Sequence, residues 1–194
     1  MKIESLLNKF KIQKGDKIIL TSDIMGLLIQ FRKKKKTFNP NTLIDLLKKK
    51  IGKNGTLLIP TFNWDFCKGK TFHYNKSLSQ SGSLGNIALK RKDFLRSFNP
   101  IYSFAVTGKD KSKICNIKHT NCFSLNSPFG YLIKNKGKNL FIGLKQKTPK
   151  GTSKLYGFVF HHVVEQYAKV RYRYIKEFHG YYVDKSQIKK KIVI

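Results

Sequence analysis

The chain has 194 residues, enough for one domain with a substantial core, and its 40% hydrophobic and 13% aromatic content excludes a disordered polymer. Its formal net charge is +30, yet only Arg32, Arg91, Arg96, Arg171 and Arg173 among its 40 basic residues are arginine. Lysine spread along nearly every segment argues for a solvated basic surface and against a dedicated nucleic-acid module, which gathers arginine and exposed aromatics on one face. Such a field still favours anionic ligands, a phosphorylated cofactor included.

Cys67, Cys115 and Cys122 are odd in number and give no disulfide framework. There is no amino-terminal apolar stretch of export type and no apolar run long enough to span a bilayer, so a cytoplasmic protein without membrane contact is expected.

In chain order, Ile3 to Phe10 has helical apolar spacing, and Lys17 to Leu20 is a short buried strand. Thr21-Ser22-Asp23 can cap a helix starting near Ile24, the basic run Arg32 to Lys36 reads as an exposed loop, and Thr42 to Ile51 is helical up to Gly52. Thr56 to Ile59 is a strand stopped at Pro60. Phe66 to Ser81 has no period and reads as a long loop, of the kind that is often functional. Ser83 to Lys92 is a short helix capped by Ser83; Tyr102 to Thr107 and Asn139 to Ile142 are strands, with a helix from Phe129 to Lys136 between them. Thr152 to Ala168 has the clearest helical pattern and precedes an alternating strand, Tyr172 to Phe178. Strands alternating with helices predict a single domain over residues 1–194, a layered α/β/α fold on a mixed central sheet.

Three groups of residues could carry chemistry. On a helical wheel at about 100° per residue, Leu155, Tyr156, Val159, Phe160, Val163 and Tyr167 form an apolar arc with His162 at its edge, while His161 projects away. Glu165 follows three residues later and shares the neighbourhood of His162. A border imidazole can stay neutral and accept a proton, although most such histidines simply hydrogen-bond. The second group, Ser81-Gly82-Ser83-Leu84-Gly85, opens a helix with small residues and free N–H groups, a pattern that ordinary loop-and-cap chemistry also produces. The third, Cys115, His119 and Cys122, offers three soft metal ligands where structural zinc takes four in paired spacings, so no metal is expected.

The order of these segments matters more than any one of them. GTLLIPTFNW (55–64), RSFNPIYSFAVTG (96–108), SPFGYLI with GKNLFIGL (127–144) and HHVVEQYAKVRYRY (161–174) together resemble the aminoglycoside 3-N-acetyltransferase (antibiotic acetyltransferase) family from about Lys17 to Phe178. The resemblance implies acetyl transfer from acetyl-coenzyme A to a primary amine of an aminoglycoside or amino sugar. It implies His162 as catalytic base with Glu165 beside it, and a coenzyme A channel lined by Thr21, Ser22 and the Ser81–Gly85 helix start. Arg96, Ser97 and Ser103 match the family segment Arg-Ser-x-His-Pro-x-x-Ser and are assigned to cofactor binding with them. Asn99 stands where that segment has histidine and cannot titrate. Ser127-Pro128-Phe129-Gly130 matches a turn, and His119 matches a family position of no assigned role.

None of the cysteines falls on a family motif, so no acetyl-cysteine is expected. Family members continue further, with strands and another carboxylate-bearing segment. A reduced site, a non-catalytic relative that binds coenzyme A or a partner, and substitution by Glu177 or Asp184 therefore stay open, as does a homodimer. With ten acidic residues, an acidic pocket for a polycation is hard to build, which favours a neutral or anionic amino sugar. A nucleic-acid binder rests on charge alone.

Overall fold

The computed structural model describes residues 3–143 and 176–194. Its centre is a five-stranded sheet in the order β4-β5-β2-β1-β6, formed by β1 (Lys17–Ser22), β2 (Thr56–Pro60), β4 (Leu95–Arg96), β5 (Phe104–Gly108) and β6 (Lys138–Ile142). β1 runs parallel to both β2 and β6, while β5 is antiparallel to β2 and β4. The sheet is therefore mixed, as expected. Every residue of β2 is buried, because a central strand covered on both faces is apolar throughout instead of alternating.

Successive side chains leave a strand on opposite faces, and the core divides accordingly. Ile18, Leu20, Leu57 and Ile59 face α1 (Ile3–Leu7), α2 (Ile24–Lys33), α3 (Pro40–Ile51) and α4 (Ser83–Leu89). Ile19, Leu58, Phe104 and Val106 face α5 (Lys111–Cys115) and α6 (Pro128–Lys134), with Phe62 and Phe129 in edge and tilted contact. A third cluster, built on Phe66, Phe72, Ile101 and Tyr182, joins a small second sheet. That sheet has the order β3-β7-β8, with β3 (Phe72–His73) parallel to β7 (His179–Val183) and β8 (Lys189–Val193) antiparallel to it.

Several boundaries differ from the sequence reading for identifiable reasons. β1 runs on through Thr21 and Ser22, because β6 supplies partners up to Ser22↔Ile142, and the cap of α2 is Asp23, whose carboxylate accepts from the Gly26 N–H. Helical structure continues through Arg32 and Lys33, where cations suit a helix C-terminus. α3 starts at Pro40 with Asn39 as cap. Pro60 is the last residue of β2 and not the stop before it.

α4 begins with Gly82 as its uncapped flank, so Ser83 is its first residue and not its cap, and it ends at Leu89. The 66–81 stretch contains a 3₁₀ turn at Phe66–Lys68 and the strand β3. Strand β5 starts two residues later than expected, at Phe104. Residues 176–178 are not in a strand, and β7 starts at His179; the earlier part of that expected strand, and the expected Thr152–Ala168 helix, lie outside the described residues.

Candidate functional site

The parallel strands β1 and β2 end side by side, at Ser22 and Pro60, and α4 starts across those ends. A narrow cleft lies there, lined by Leu20, Ser22, Ile59, Pro60, Ser81, Gly82, Leu84 and Gly85. Ligands of open α/β sheets sit in the crevice beyond the carboxyl ends of the strands. Five residues picked out in sequence, Ser22, Ser81, Gly82, Leu84 and Gly85, therefore meet in one place. Ser83 is exposed on the first turn of α4 without lining the cleft, and Thr21 points to the opposite face of β1, buried, its hydroxyl without a partner.

Close approach explains the glycine at position 85. A Cβ there would come within 2.5 Å of the Pro60 carbonyl oxygen, so only glycine lets α4 touch the end of β2. Gly82, at φ +127°, turns the chain into the helix in a conformation that side chains disfavour. The loop before it is tied down from several sides. Phe62 N–H donates to Ser81 Oγ (3.1 Å), Trp64 N–H to Gln80 Oε1 (2.7 Å), and Ser79 N–H to Asn86 Oδ1 (2.7 Å). Asn63 Nδ2 donates to the Leu78 carbonyl at 2.8 Å. Gln80, Asn63 and Asn86 went unremarked in sequence; the only signal was their position flanking the apolar run of β2 and the small residues of α4.

Arg96, Ser97 and Ser103 lie behind this loop, 2%, 1% and 0% exposed. Arg96 Nε donates to Ser103 Oγ (3.0 Å) and Nη2 to the Thr61 carbonyl (3.0 Å), while Nη1 donates to the carbonyls of Tyr74 (3.3 Å) and Ser77. The guanidinium also lies over the Phe72 ring at 4.6 Å. No carboxylate among the described residues balances it, and burial draws its pKa down to about 10. Ser97 Oγ accepts from Phe104 N–H, and Ser103 Oγ donates to Thr61 O. The polar atoms of these three residues are thus committed to the protein's own framework, which positions the 74–81 loop. Tyr74 completes it: its hydroxyl donates to the Arg96 carbonyl (2.6 Å) and accepts the Arg96 N–H (3.1 Å).

Asn99 is fully buried with φ +116°, and its Oδ1 accepts the N–H groups of Ile101 and Tyr102, both at 2.9 Å. Its role is to hold the turn into β5. Its Nδ2 faces Cys122 Sγ at 3.5 Å. Burial pushes the Cys115 and Cys122 thiols up to about 12 and raises Cys67, the opposite of what a nucleophile needs. Cys115, Cys122 and His119 each turn to a different partner: Leu95 O, Asn99 and Asn121 O. Among the described residues no group of three His, Cys, Asp or Glu side chains is placed to hold a metal ion, and no helix is long and apolar enough to cross a membrane. His162 and Glu165 lie outside the described residues. Glu177 is exposed, with His179 Nε2 at 3.7 Å, and Asp184 accepts from Lys190.

The chain is a layered α/β protein with a small-residue cleft at the ends of its parallel strands, and comparison narrows its class. A family profile for aminoglycoside 3-N-acetyltransferase matches residues 33–192, so the chain belongs to that family. The structure is similar to aminoglycoside acetyltransferase AAC(3)-Xa (TM-score 0.75, 18% identity, 98% of this chain and 68% of that one). It is equally similar to AAC-IIIb in binary complex with CoASH (TM-score 0.75, 18% identity, 98% and 72%). The YokD protein from Bacillus subtilis also matches (TM-score 0.70, 18% identity, 98% and 79%). These likenesses bear on the fold. No curated protein sequence matches the chain.

Proposed function

We propose that the protein is an acetyl-coenzyme A-dependent N-acetyltransferase acting on a primary amine of an aminoglycoside or amino sugar. The observation that carries this reading is the convergence of Ser22 with Ser81, Gly82, Leu84 and Gly85 on one cleft, in a chain that belongs to the aminoglycoside 3-N-acetyltransferase family. A solved member of similar fold is a complex with CoASH. What supports such a ligand here is the set of small side chains at the strand ends and the first turn of α4, which no side chain caps.

In the reaction, the acceptor nitrogen attacks the thioester carbonyl carbon, a C–N bond forms, and the C–S bond breaks. An ammonium has no lone pair, so a base must first take a proton. His162 fills that role, with Glu165 three residues on to hold the imidazole tautomer. The oxygen of the tetrahedral intermediate is stabilised by backbone N–H groups of a turn. The nitrogen gives up two protons in all: the one His162 takes from the ammonium passes to solvent, and the one lost as the amide forms ends on the departing sulfur, so that coenzyme A leaves as a thiol. Arg96, Ser97 and Ser103 support the cleft from behind. The raised thiol pKa values argue against an acetyl-cysteine intermediate.

Incubation with acetyl-coenzyme A and a panel of amines, followed by release of free thiol, tests the reading. His162→Ala is expected to lower kcat by at least about a hundredfold and to leave coenzyme A affinity nearly unchanged. Turnover retained in that variant removes His162 as base. No thiol release from any amine, with coenzyme A bound tightly, would point to a binding protein that no longer turns over.

A further inference from the structure

The strand β7 runs beside residues 66–75, although 110 positions separate Asn75 from Lys185 in sequence. Gly180 lies against Phe66, where a Cβ would come within 2.6 Å of the ring, so glycine lets the strand reach the start of the segment. Tyr182 pairs with Phe72 and Val183 with His73 in β3. Tyr74 N–H donates to the Val183 carbonyl at 2.9 Å, and Asn75 Nδ2 donates to the Lys185 carbonyl at 3.4 Å. These contacts follow the same order on both strands, as a parallel pairing dictates.

Tyr182 is the centre of this contact. Its ring is 4% exposed and stacks on Phe72 with centroids 5.5 Å apart and planes 16° from parallel. It also meets the Phe98 ring at 5.0 Å. The Phe72 ring carries the Arg96 guanidinium as well, at 4.6 Å. Tyr182 and Arg96 thus bear on the same aromatic side chain of β3.

From β3 the contacts pass on to the cleft without a gap. His73 N–H donates to Ser77 Oγ and Ser77 N–H to the His73 carbonyl, both at 2.9 Å, which closes a turn over 73–77. Arg96 bonds the carbonyls of Tyr74 and Ser77 on that turn. Asn86 of α4 then holds Ser79 twice: Oδ1 accepts its N–H at 2.7 Å and Nδ2 donates to its carbonyl at 3.1 Å. Ser79 Oγ lies 3.1 Å from Ser81 Oγ, and Ser81 lines the cleft beside Gly82. Between β3 and α4 the chain has no helix or strand of its own, and such stretches open locally more readily than a core does.

We propose that Tyr182 is a positioning residue for the cleft, and through it for coenzyme A, acting by way of Phe72 and the 73–81 loop. The β7–β8 hairpin is then part of the cofactor site without lining it. For its ligand the proposal rests on the transferase reading, which assigns the cleft to coenzyme A. For its geometry it rests only on the contacts from β7 to Ser81.

The experiment uses the full chain and two readouts, one of them independent of any ligand. Calorimetry measures coenzyme A binding, and hydrogen exchange measures protection of the backbone amides of 79–86 against those of α3. Tyr182→Ala removes the ring that stacks on Phe72 and is expected to raise the Kd for coenzyme A at least about fivefold. Exchange at 79–86 should quicken while α3 keeps its protection. Tyr182→Phe keeps the stack and should restore both. Tyr182→Leu, which keeps apolar bulk and loses the stack, takes the place of the alanine variant if that one fails to fold.

Unchanged affinity and unchanged exchange at 79–86 overturn the proposal. Exchange that quickens equally in α3 also overturns it, because the ring then contributes only to stability. Failure of Tyr182→Phe to restore the two readouts removes the stack as the means. If the unaltered chain binds no coenzyme A while local exchange responds to Tyr182→Ala, the transferase reading falls and Tyr182 stands as the residue that orders the cleft.

Discussion

Replacing Arg96 by methionine keeps most of its apolar volume and removes every donor. Two carbonyls, those of Tyr74 and Ser77, then lose the guanidinium inside the protein, while the Thr61 carbonyl retains Ser103 as donor. At roughly 1–3 kcal/mol for each orphaned buried acceptor, plus about 1 kcal/mol for the lost contact over the Phe72 ring, the loss is several kcal/mol. Relief from holding an unpaired charge 98% out of water returns part of it. A net loss of about 3 kcal/mol follows, and with a urea m-value of about 2 kcal/mol/M the unfolding midpoint falls by about 1.5 M. Coenzyme A affinity should fall as well, because the 74–81 loop that Arg96 pins leads directly into the cleft. Arg96→Lys should lie between the two, since one ammonium cannot reach all three carbonyls, which lie on two segments. A midpoint shift in Arg96→Met below about 0.3 M, well under the cost of one orphaned acceptor, would refute the account of this cation as the tie between sheet and loop.

Gly85→Ala puts a Cβ 2.5 Å from the Pro60 carbonyl oxygen. Backbone cannot yield as a flexible side chain does, so α4 must move, at about 2 kcal/mol by urea unfolding and with weaker coenzyme A binding by calorimetry. Asp93 is held well below the usual carboxylate range, first by its hydrogen bond from Arg91 and then by Lys48. A depressed folded pKa means its contribution is fully present above the unfolded value near 3.8 and is lost as pH falls below it; Asp93→Asn should flatten the decline in stability below about pH 4. Ser127 caps α6, accepting from Gly130 N–H at 3.2 Å, so Ser127→Ala should cost about 1 kcal/mol in thermal or urea unfolding and leave coenzyme A affinity unchanged.

What was legible in the sequence was whatever repeats at short range. β2 and β5 are apolar runs between turns, α3 carries Leu43, Ile44, Leu47 and Ile51 at helical spacing, and all three elements exist where the pattern puts them, with ends shifted by one or two residues. Elements held by distant partners were not legible. β8 reads Lys-Lys-Lys-Ile-Val, a solvated tail by composition, and it is a strand only because β7 supplies the ladder. β3 is two residues long and exists through its pairing with Tyr182 and Val183, more than a hundred positions later. The 66–81 segment lacks period because side chains order it: Gln80, Asn63, Asn86 and Arg96 bond to backbone that no helix or sheet satisfies.

The site divides along the same physical line. Small residues and glycines mark places where something must come close, and Ser22, Gly82 and Gly85 do meet. A motif that names residue types says less about which way they face. Arg96, Ser97 and Ser103 belong to one segment of the resemblance, and all three turn inward, where the arginine, with no carboxylate partner among the described residues, organises carbonyls from two parts of the chain. Asn99 shows the reason for its own identity: a carboxamide oxygen in a left-handed turn can accept two successive N–H groups. A histidine there would offer one nitrogen acceptor on a bulkier ring, at a φ that disfavours any Cβ. Asparagine at this position therefore serves the turn through both accepted N–H groups, and its carboxamide does not titrate.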